Sequence, residues 1–316
     1  MTPTGSDGRS SDGGSAMNQV VVIQWNRKSG SGRGRGELIV LSRRLRKFGF
    51  IVRMFSNRSK LDRYVRERFD GEVSDGRSKR TLKCLVAAGG DGTVADVANR
   101  HPGIPIAVLP LGTENLLAKF LGMARSGSQV ADTICHGGTQ WLDTAKANSQ
   151  RFLLMFSSGL DAEVVDAIHS ARTGTIRRIS YVIPVLKAFY RSRPRTYRAV
   201  SADGSLSVSG SHLIVTNIPR YGFGLPFAPD ARGDDGLLDV RAFSGATRWS
   251  IFWHAVKLKF GLPVSQNLVH RFTATEITLS CDDGPGLSQF DGDPGPRLPA
   301  VIRIEPRSLC VIVPAH

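Results

Sequence analysis

The chain has 316 residues, 41% of them hydrophobic, with 42 lysines and arginines against 27 acidic residues, a formal net charge of +15. That length suits two domains with a sizeable interior. No apolar run reaches the roughly 18 residues of a membrane-spanning helix, so an integral membrane protein is not expected. Cys84, Cys135, Cys281 and Cys310 are scattered with no Cys-x-x-Cys pair; neither a metal cluster nor a disulfide framework is indicated, and a reducing cytoplasm is the expected compartment. The positive field either concentrates an anionic partner (nucleic acid, anionic lipid or a phosphorylated substrate) or simply keeps the surface soluble. Nucleic acid is not expected, because neither an aromatic RNP strand nor a zinc finger is present.

The first 16 residues are mostly Gly, Ser, Thr and Asp and lack the basic start and apolar middle of a signal peptide. Residues 1–18 are expected to be a disordered leader, with Met17 a candidate start. Val20 to Trp25 predicts a strand of a parallel sheet and runs into Asn26-Arg27-Lys28-Ser29-Gly30-Ser31-Gly32-Arg33-Gly34. This is not a P-loop, since no Gly-Lys-Ser/Thr follows the glycines. A helix follows with Leu38, Leu41, Leu45 and Phe48 on one face and Arg43, Arg44, Arg46 and Lys47 outside, closed by Gly49. A strand over 50–55, a basic helix over 59–69 and a polar loop over 71–80 come next. Leu82, Leu85 and Val86 then predict a buried strand that breaks at Gly89-Gly90-Asp91-Gly92-Thr93, with Val94, Val97 and Ala98 opening a helix. Glycines there allow a sharp turn and close approach, and free N–H groups at the positive end of a helix suit phosphate. Asp91 would repel phosphate unless a cation lies between them, so a nucleotide–Mg²⁺ site is predicted. A second strand from Ile104 breaks at Pro110-Leu111-Gly112-Thr113 before another helix, with Thr113 the expected cap. Such alternation predicts a doubly wound α/β domain with ligands at the carboxyl ends of its strands.

Trp141 to Lys146 and Arg151 to Asp161 predict two strands around a short turn, with Asp143 at a strand end. From Ala167 to Ala202 there is no acidic residue, while basic residues alternate with apolar ones such as Ile179, Tyr181, Leu186, Phe189 and Tyr190. This stretch either lies on an anionic membrane, at about 1 kcal/mol per basic residue, or packs on a sheet; Pro184 argues against one continuous helix. Val200 to Ile218 alternates polar and apolar residues around turns at Asp203-Gly204 and Ser209-Gly210, as antiparallel strands do. Aspartates cluster on a glycine turn at Asp234-Asp235-Gly236, which suits a hard cation held by carboxylate and carbonyl oxygens. Phe290-Asp291-Gly292-Asp293-Pro294-Gly295 then leads into an alternating run that ends at Pro314.

Gly89 to Thr93 is similar to the signature shared by diacylglycerol, sphingosine, ceramide and NAD kinases and, more distantly, phosphofructokinases. Four further blocks resemble the lipid kinases of that superfamily, in family order. The 26–30 loop is similar to Asn-Pro-x-Ser-Gly, with Arg27 for the proline. Pro110 to Ala118 resembles Pro-x-Gly-Thr-x-Asn-Asp-φ-Ala (φ apolar), with Leu116 for the aspartate, a mark of a divergent subgroup; NAD kinases carry a different second block and are disfavoured. The Asp235 to Asp239 run and the ending resemble Asp-Asp-Gly-x-Leu-Asp and Asp-Gly-Glu-Pro, with Asp293 for the glutamate.

The resemblance implies an N-terminal α/β ATP-binding domain over 19–145, rejoined by the strand region near 305–316. A β-rich, antiparallel, sandwich-like lipid-substrate domain covers 146–304, with a cleft between the two. ATP would be held by Asn26, Ser29, Gly30, Gly89, Gly90, Asp91, Gly92, Thr93, Gly112, Thr113 and Asn115. Catalytic Mg²⁺ would lie at Asp91 and Asp143, and a structural Mg²⁺ at Asp235 with the carbonyls of Arg232 and Leu237. The catalytic base would be Asp291 or Asp293. The implied activity is an ATP-dependent lipid kinase acting on a diacylglycerol or sphingoid-base-like hydroxyl, cytoplasmic and held peripherally at the anionic inner face of the membrane; a homodimer is also admitted. Two other readings stay open: a kinase of a soluble polyol or nucleotide and, because of Leu116 and Asp293, a nucleotide- and membrane-binding protein with impaired catalysis.

Overall fold

The computed structural model describes residues 18–26, 33–69, 80–170, 190, 195–245, 247–262 and 268–315. Residues 1–17 of the expected leader, Ser29 and Gly30, most of the 71–80 loop and most of the basic stretch between 167 and 202 lie outside the described residues.

Four strands, β1 (Gln19–Trp25), β2 (Ile51–Phe55), β3 (Thr81–Gly89) and β4 (Ile106–Pro110), pair in parallel in the order β2-β1-β3-β4. The inner strands read as unbroken apolar runs because both faces are covered; Val20 to Ile23 and Cys84 to Ala88 have no solvent exposure. Helices α1 (Arg33–Lys47), α2 (Arg58–Phe69), α3 (Asp91–Arg100), α4 (Leu116–Phe120) and α5 (Gly127–His136) pack around this sheet. Their buried positions fall three and four apart, as at Leu38, Leu41 and Leu45 or Leu61 and Val65, the spacing of one helix face. Behind the sheet Arg100 binds Asp62 and Asp96, and Gln24 donates to Asp96 at 2.8 Å, tying α3 to β1 and α2.

The second half is antiparallel. β7 (Met155–Ser158), β10 (His212–Thr216), β11 (Leu238–Phe243), β12 (Val269–Ala274), β14 (Gln289–Phe290) and β15 (Asp293–Pro294) form one sheet in the order β12-β11-β10-β7-β14-β15. Against it lie β5 (Gly138–Ala147), β6 (Gln150–Phe152), β8 (Tyr197–Ser201), β9 (Ser207–Gly210), β13 (Glu276–Cys281) and the first half of β16 (Ala300–Val313). Phe152, Phe156, Tyr197, Leu213, Val215, Ile277 and Leu279 fill the space between the sheets, each large apolar side chain contributing about 1.5–3 kcal/mol. Two more helices, α6 (Leu160–Ser170) and α7 (Arg248–Lys259), follow β7 and β11.

The last strand joins the halves. Ile302 to Glu305 pairs with β5, and Ala300 to Arg303 pairs with β13. The register then shifts around Arg307, which has a φ of 48°, and Leu309 to Val313 continues along β5 with Val311 beside Ile106 of β4.

Two expectations are corrected. The run Arg151 to Asp161 predicts one strand, but the ladder is interrupted at Leu153 and Leu154, whose amides turn to a carboxylate, and a helix starts at Leu160. The Ser209-Gly210 turn does not join paired strands: β9 pairs with β8, while β10 belongs to the other sheet. Gly210 makes that crossing where a Cβ would meet the Phe243 carbonyl oxygen at 2.5 Å.

Candidate active site

The carboxyl ends of the parallel strands meet at one edge, with Trp25 opposite Ala88 and Gly89 opposite Pro110. Here the two glycine loops touch through backbone. The Gly89 carbonyl accepts the amides of Leu111 and Gly112 at 2.8 and 3.2 Å. A Cβ on Gly112 would lie 2.4 Å from the Gly90 Cα, so no other residue fits without moving a loop. Helix α3 starts at Gly90 with no side-chain cap, which leaves its first turn and dipole to a ligand. Gly92 and Thr113 are exposed on this edge, Thr93 is buried, and the exposed Asn26 donates its amide to the Ala88 carbonyl at 3.2 Å.

Asp91 has a structural partner as well. Its two oxygens accept the amides of Leu116 and Leu117 at 3.0 and 3.1 Å, capping α4 from a residue 25 positions earlier. Thr113 is therefore not the cap. The N-cap position is Asn115, in left-handed backbone with a φ of 51°, and its side chain bonds both the N–H and the C=O of Gly112 at 2.9 Å. Leu116, where the resemblance expects aspartate, is 3% exposed and packs in the α/β core.

The second carboxylate wall is the β14–β15 turn. Asp291, at a φ of 50°, accepts the amides of Leu153, Leu154 and Met155 at 2.7, 2.9 and 3.0 Å. These bonds cause the break in the apolar run. The residue as a whole is half-buried, but its carboxyl group is enclosed by protein. That enclosure pushes its pKa up to about 6; the three amides oppose the rise and the Asp91 charge adds to it. Asp293, two residues on, is exposed.

Asp143 is 1% exposed and sits at the junction of the halves. It accepts the amides of Gly236 and Arg307, each at 2.7 Å, while its own N–H and C=O bond the Gly233 carbonyl and the Asn217 side chain. Asp235 is exposed and accepts the Leu237 amide at 3.0 Å, closing the glycine turn; Arg232 is exposed beside it. Among the described residues no three of His, Cys, Asp and Glu gather at one point.

One polar group escaped sequence reasoning. Ser157 and Tyr221 both donate to Asp161. The Gln289 amide donates to the Ser157 and Tyr221 hydroxyls at 2.6 and 3.0 Å, and its carbonyl accepts the Gly292 amide at 2.9 Å. The glycine between the two candidate bases is thus tied, through Gln289, to a half-buried carboxylate on α6. Burial and the Asp161 charge hold the Tyr221 hydroxyl well above its usual pKa. The only signal in the sequence was polar side chains at apolar strand positions, since no spacing links 157, 161, 221 and 289.

Comparisons with known proteins bear on the family and the fold. Residues 19–147 match the family model of the diacylglycerol kinase catalytic domain, and residues 155–313 match that of the YegS C-terminal NAD kinase beta sandwich-like domain. A diacylglycerol kinase of Mycobacterium tuberculosis is 27% identical over 242 residues, covering 73% of this chain and 77% of that protein. One from Staphylococcus carnosus is 29% identical over 232 residues, 71% and 75% of the two chains. The fold matches a crystal structure of a diacylglycerol kinase from Bacillus anthracis with a TM-score of 0.65, 18% identity, and coverage of 94% of this chain and 97% of that one.

Proposed function

The chain belongs to the diacylglycerol kinase-like family of lipid kinases, and from that premise we propose that it transfers the γ-phosphate of ATP to a lipid hydroxyl, diacylglycerol or a sphingoid base being the acceptor class. The observation that carries this reading is the contact of Gly90 with Gly112 at the uncapped start of α3, within electrostatic reach of the Asp291–Asp293 turn.

The triphosphate would be held by Gly89 to Thr93 and Gly112 to Thr113, with Asn26 on the same edge; Ser29 and Gly30, which the resemblance adds, lie outside the described residues. Phosphoryl transfer needs positioning and charge neutralisation more than covalent chemistry. Mg²⁺, when bound, offsets charge on the phosphoryl oxygens. Asp91 suits it, because each of its oxygens accepts one amide and keeps a second lone pair. The Asp235 turn suits a structural ion through its second carboxylate oxygen and the carbonyls of Arg232 and Leu237. Asp143 is better fitted to pinning the junction, since it is 1% exposed and ties the Gly236 turn to Arg307 of β16.

Asp293 takes the proton from the lipid hydroxyl, because its carboxylate is open to solvent at the turn. Asp291 holds that turn through three amides. A pKa near 6 supports a second reading with Asp291 as the base; in that case kcat falls in Asp291→Asn and is kept in Asp293→Asn.

The test is γ-labelled ATP with Mg²⁺ and detergent micelles carrying diacylglycerol, sphingosine or ceramide, alongside soluble polyols and nucleosides. Label is expected in the organic phase. Label confined to a water-soluble product would move the acceptor to a soluble alcohol, and nucleotide binding without transfer to any acceptor would reduce the protein to a sensor.

A further inference from the structure

Helix α7 buries none of its 12 residues, although it is rich in apolar side chains. A helix apolar on all sides normally lies inside a protein. One face of α7 does pack: Ile251, Ala255 and Leu258 are partly buried against the core. At about 100° per residue, the opposite arc carries Trp249, Phe252, Trp253 and, just past the helix end, Phe260. These are 48%, 44%, 57% and 75% exposed. Their rings touch edge to face, Trp249 to Phe252 at 6.4 Å and Phe252 to Trp253 at 5.6 Å between centroids. Lys257 and Lys259, both exposed, fall on the two flanks of that arc. Tyr190, from the basic stretch, meets Trp249 at 6.4 Å and accepts a hydrogen bond from Arg248 at 2.8 Å through its carbonyl.

A contiguous aromatic face of this kind marks an interaction surface. The flanking charges choose the partner. A second copy of the chain would bring +15 against +15 and set lysines against lysines, which repels. An anionic bilayer accepts both features at once: indole and phenyl rings settle at the headgroup boundary, while lysine stems reach back to lipid phosphates. We infer that the outward face of α7, continued by Phe260 and Leu262, inserts into the interfacial layer of an anionic membrane. This deepens the lipid-kinase reading and rests on it for the choice of a bilayer; the surface itself rests on the helix.

Tryptophan emission of the full chain tests it, with vesicles of phosphatidylglycerol or phosphatidylcholine whose acyl chains are or are not brominated. On phosphatidylglycerol a blue shift and bromine quenching are expected, with little of either on phosphatidylcholine. W253Q/F260Q, at exposed positions, should weaken partitioning about tenfold or more, and K257Q/K259Q roughly 30-fold at low salt. Circular dichroism of both variants should match the parent. Vesicle binding that W253Q/F260Q leaves unchanged, or binding without bromine quenching, overturns the inference. So does self-association through this face, seen by sedimentation, in a chain that ignores vesicles. Insertion by a protein that phosphorylates no lipid removes the kinase reading and leaves this one standing; lipid phosphorylated in micelles without vesicle insertion removes this one alone.

Discussion

The glycine wall of the proposed crevice is made of backbone, with Gly90 against Gly112 and Asp91 clamping α4, whereas the acidic wall is made of carboxylate side chains on a turn that three backbone amides and the Gln289 side chain hold. Both use one device: a carboxylate in a glycine turn captures amides of a segment far away in sequence. They differ in what the turn offers a ligand. The first presents N–H groups, which do not titrate and depend on the absence of a Cβ. The second presents carboxylates, whose usefulness depends on their pKa. One wall should therefore be intolerant of a single methyl group and indifferent to pH, and the other tolerant of shape and sensitive to protons.

Gly112→Ala should have the largest effect. The new Cβ would overlap the Gly90 Cα at 2.4 Å, and forcing it in is expected to cost about 3 kcal/mol of stability and to remove nucleotide binding measured by titration calorimetry. Gly90→Ala meets Gly112 only at 3.2 Å and should weaken nucleotide binding less. If both alanines bind ATP as the parent does, the backbone wall is not the phosphate site. Asp293→Asn should act the other way, with nucleotide affinity kept and kcat reduced about 10²–10⁴-fold, the usual range for a lost general base. Equal loss of affinity and turnover would erase the division of labour between the walls.

Much of the glycine wall was legible in the sequence, because strand, glycine turn and helix are contiguous and the chemistry is carried by the main chain. The order of strands and helices up to Ala118 was legible for the same reason. The acidic wall was legible only at Asp291 and Asp293. Its supports arrive from β7, α6, the Tyr221 loop and β14, and the pairings of Tyr221 and Gln289 across 60 residues or more leave no periodic trace. The strand break at Leu153 was hidden because its cause lies 138 residues away. The return of the chain near 305–316 was implied by the resemblance and not by composition, because the two halves of β16 differ only in their neighbours. Leu116 looked like a lost functional group, yet the structure buries its side chain and uses only its amide.

Asp291→Asn sharpens the pH side of the comparison. In the folded chain Asp291 titrates near 6, above the 3.8 of an unperturbed aspartate. A raised carboxylate pKa adds stability below pH 4 that is lost as pH rises through 6; the size is on the order of 3 kcal/mol. Asparagine keeps one acceptor oxygen for three amides, at a cost of about 1–3 kcal/mol for the amides left unpaired, but cannot ionise. Urea unfolding should therefore find the variant less stable than the parent near pH 4, with the gap closing toward pH 7. Other titrating groups cancel in the difference between the two proteins. A gap that is constant with pH would mean that burial does not perturb this carboxyl group.

The smallest effect is expected at Tyr221. Tyr221→Phe removes one donor to Asp161 and one acceptor from Gln289, but Ser157 still serves both and the Gln289 carbonyl still receives the Gly292 amide. A cost of about 1 kcal/mol and only a few-fold change in kcat should follow. Gln289→Met is the informative partner: it cuts the link to Gly292 while keeping the volume of the side chain. If the network exists to set the turn between Asp291 and Asp293, the methionine should lower kcat well below the phenylalanine value at unchanged KM for ATP, with similar losses of stability in the two variants. Placed in an Asp293→Asn background, the same two changes should then be indistinguishable in rate, because a turn that no longer carries a base gains nothing from being held. Equal rates for the two single variants would instead make the network a matter of packing, and leave the acidic wall oriented by the three amides on Asp291 alone.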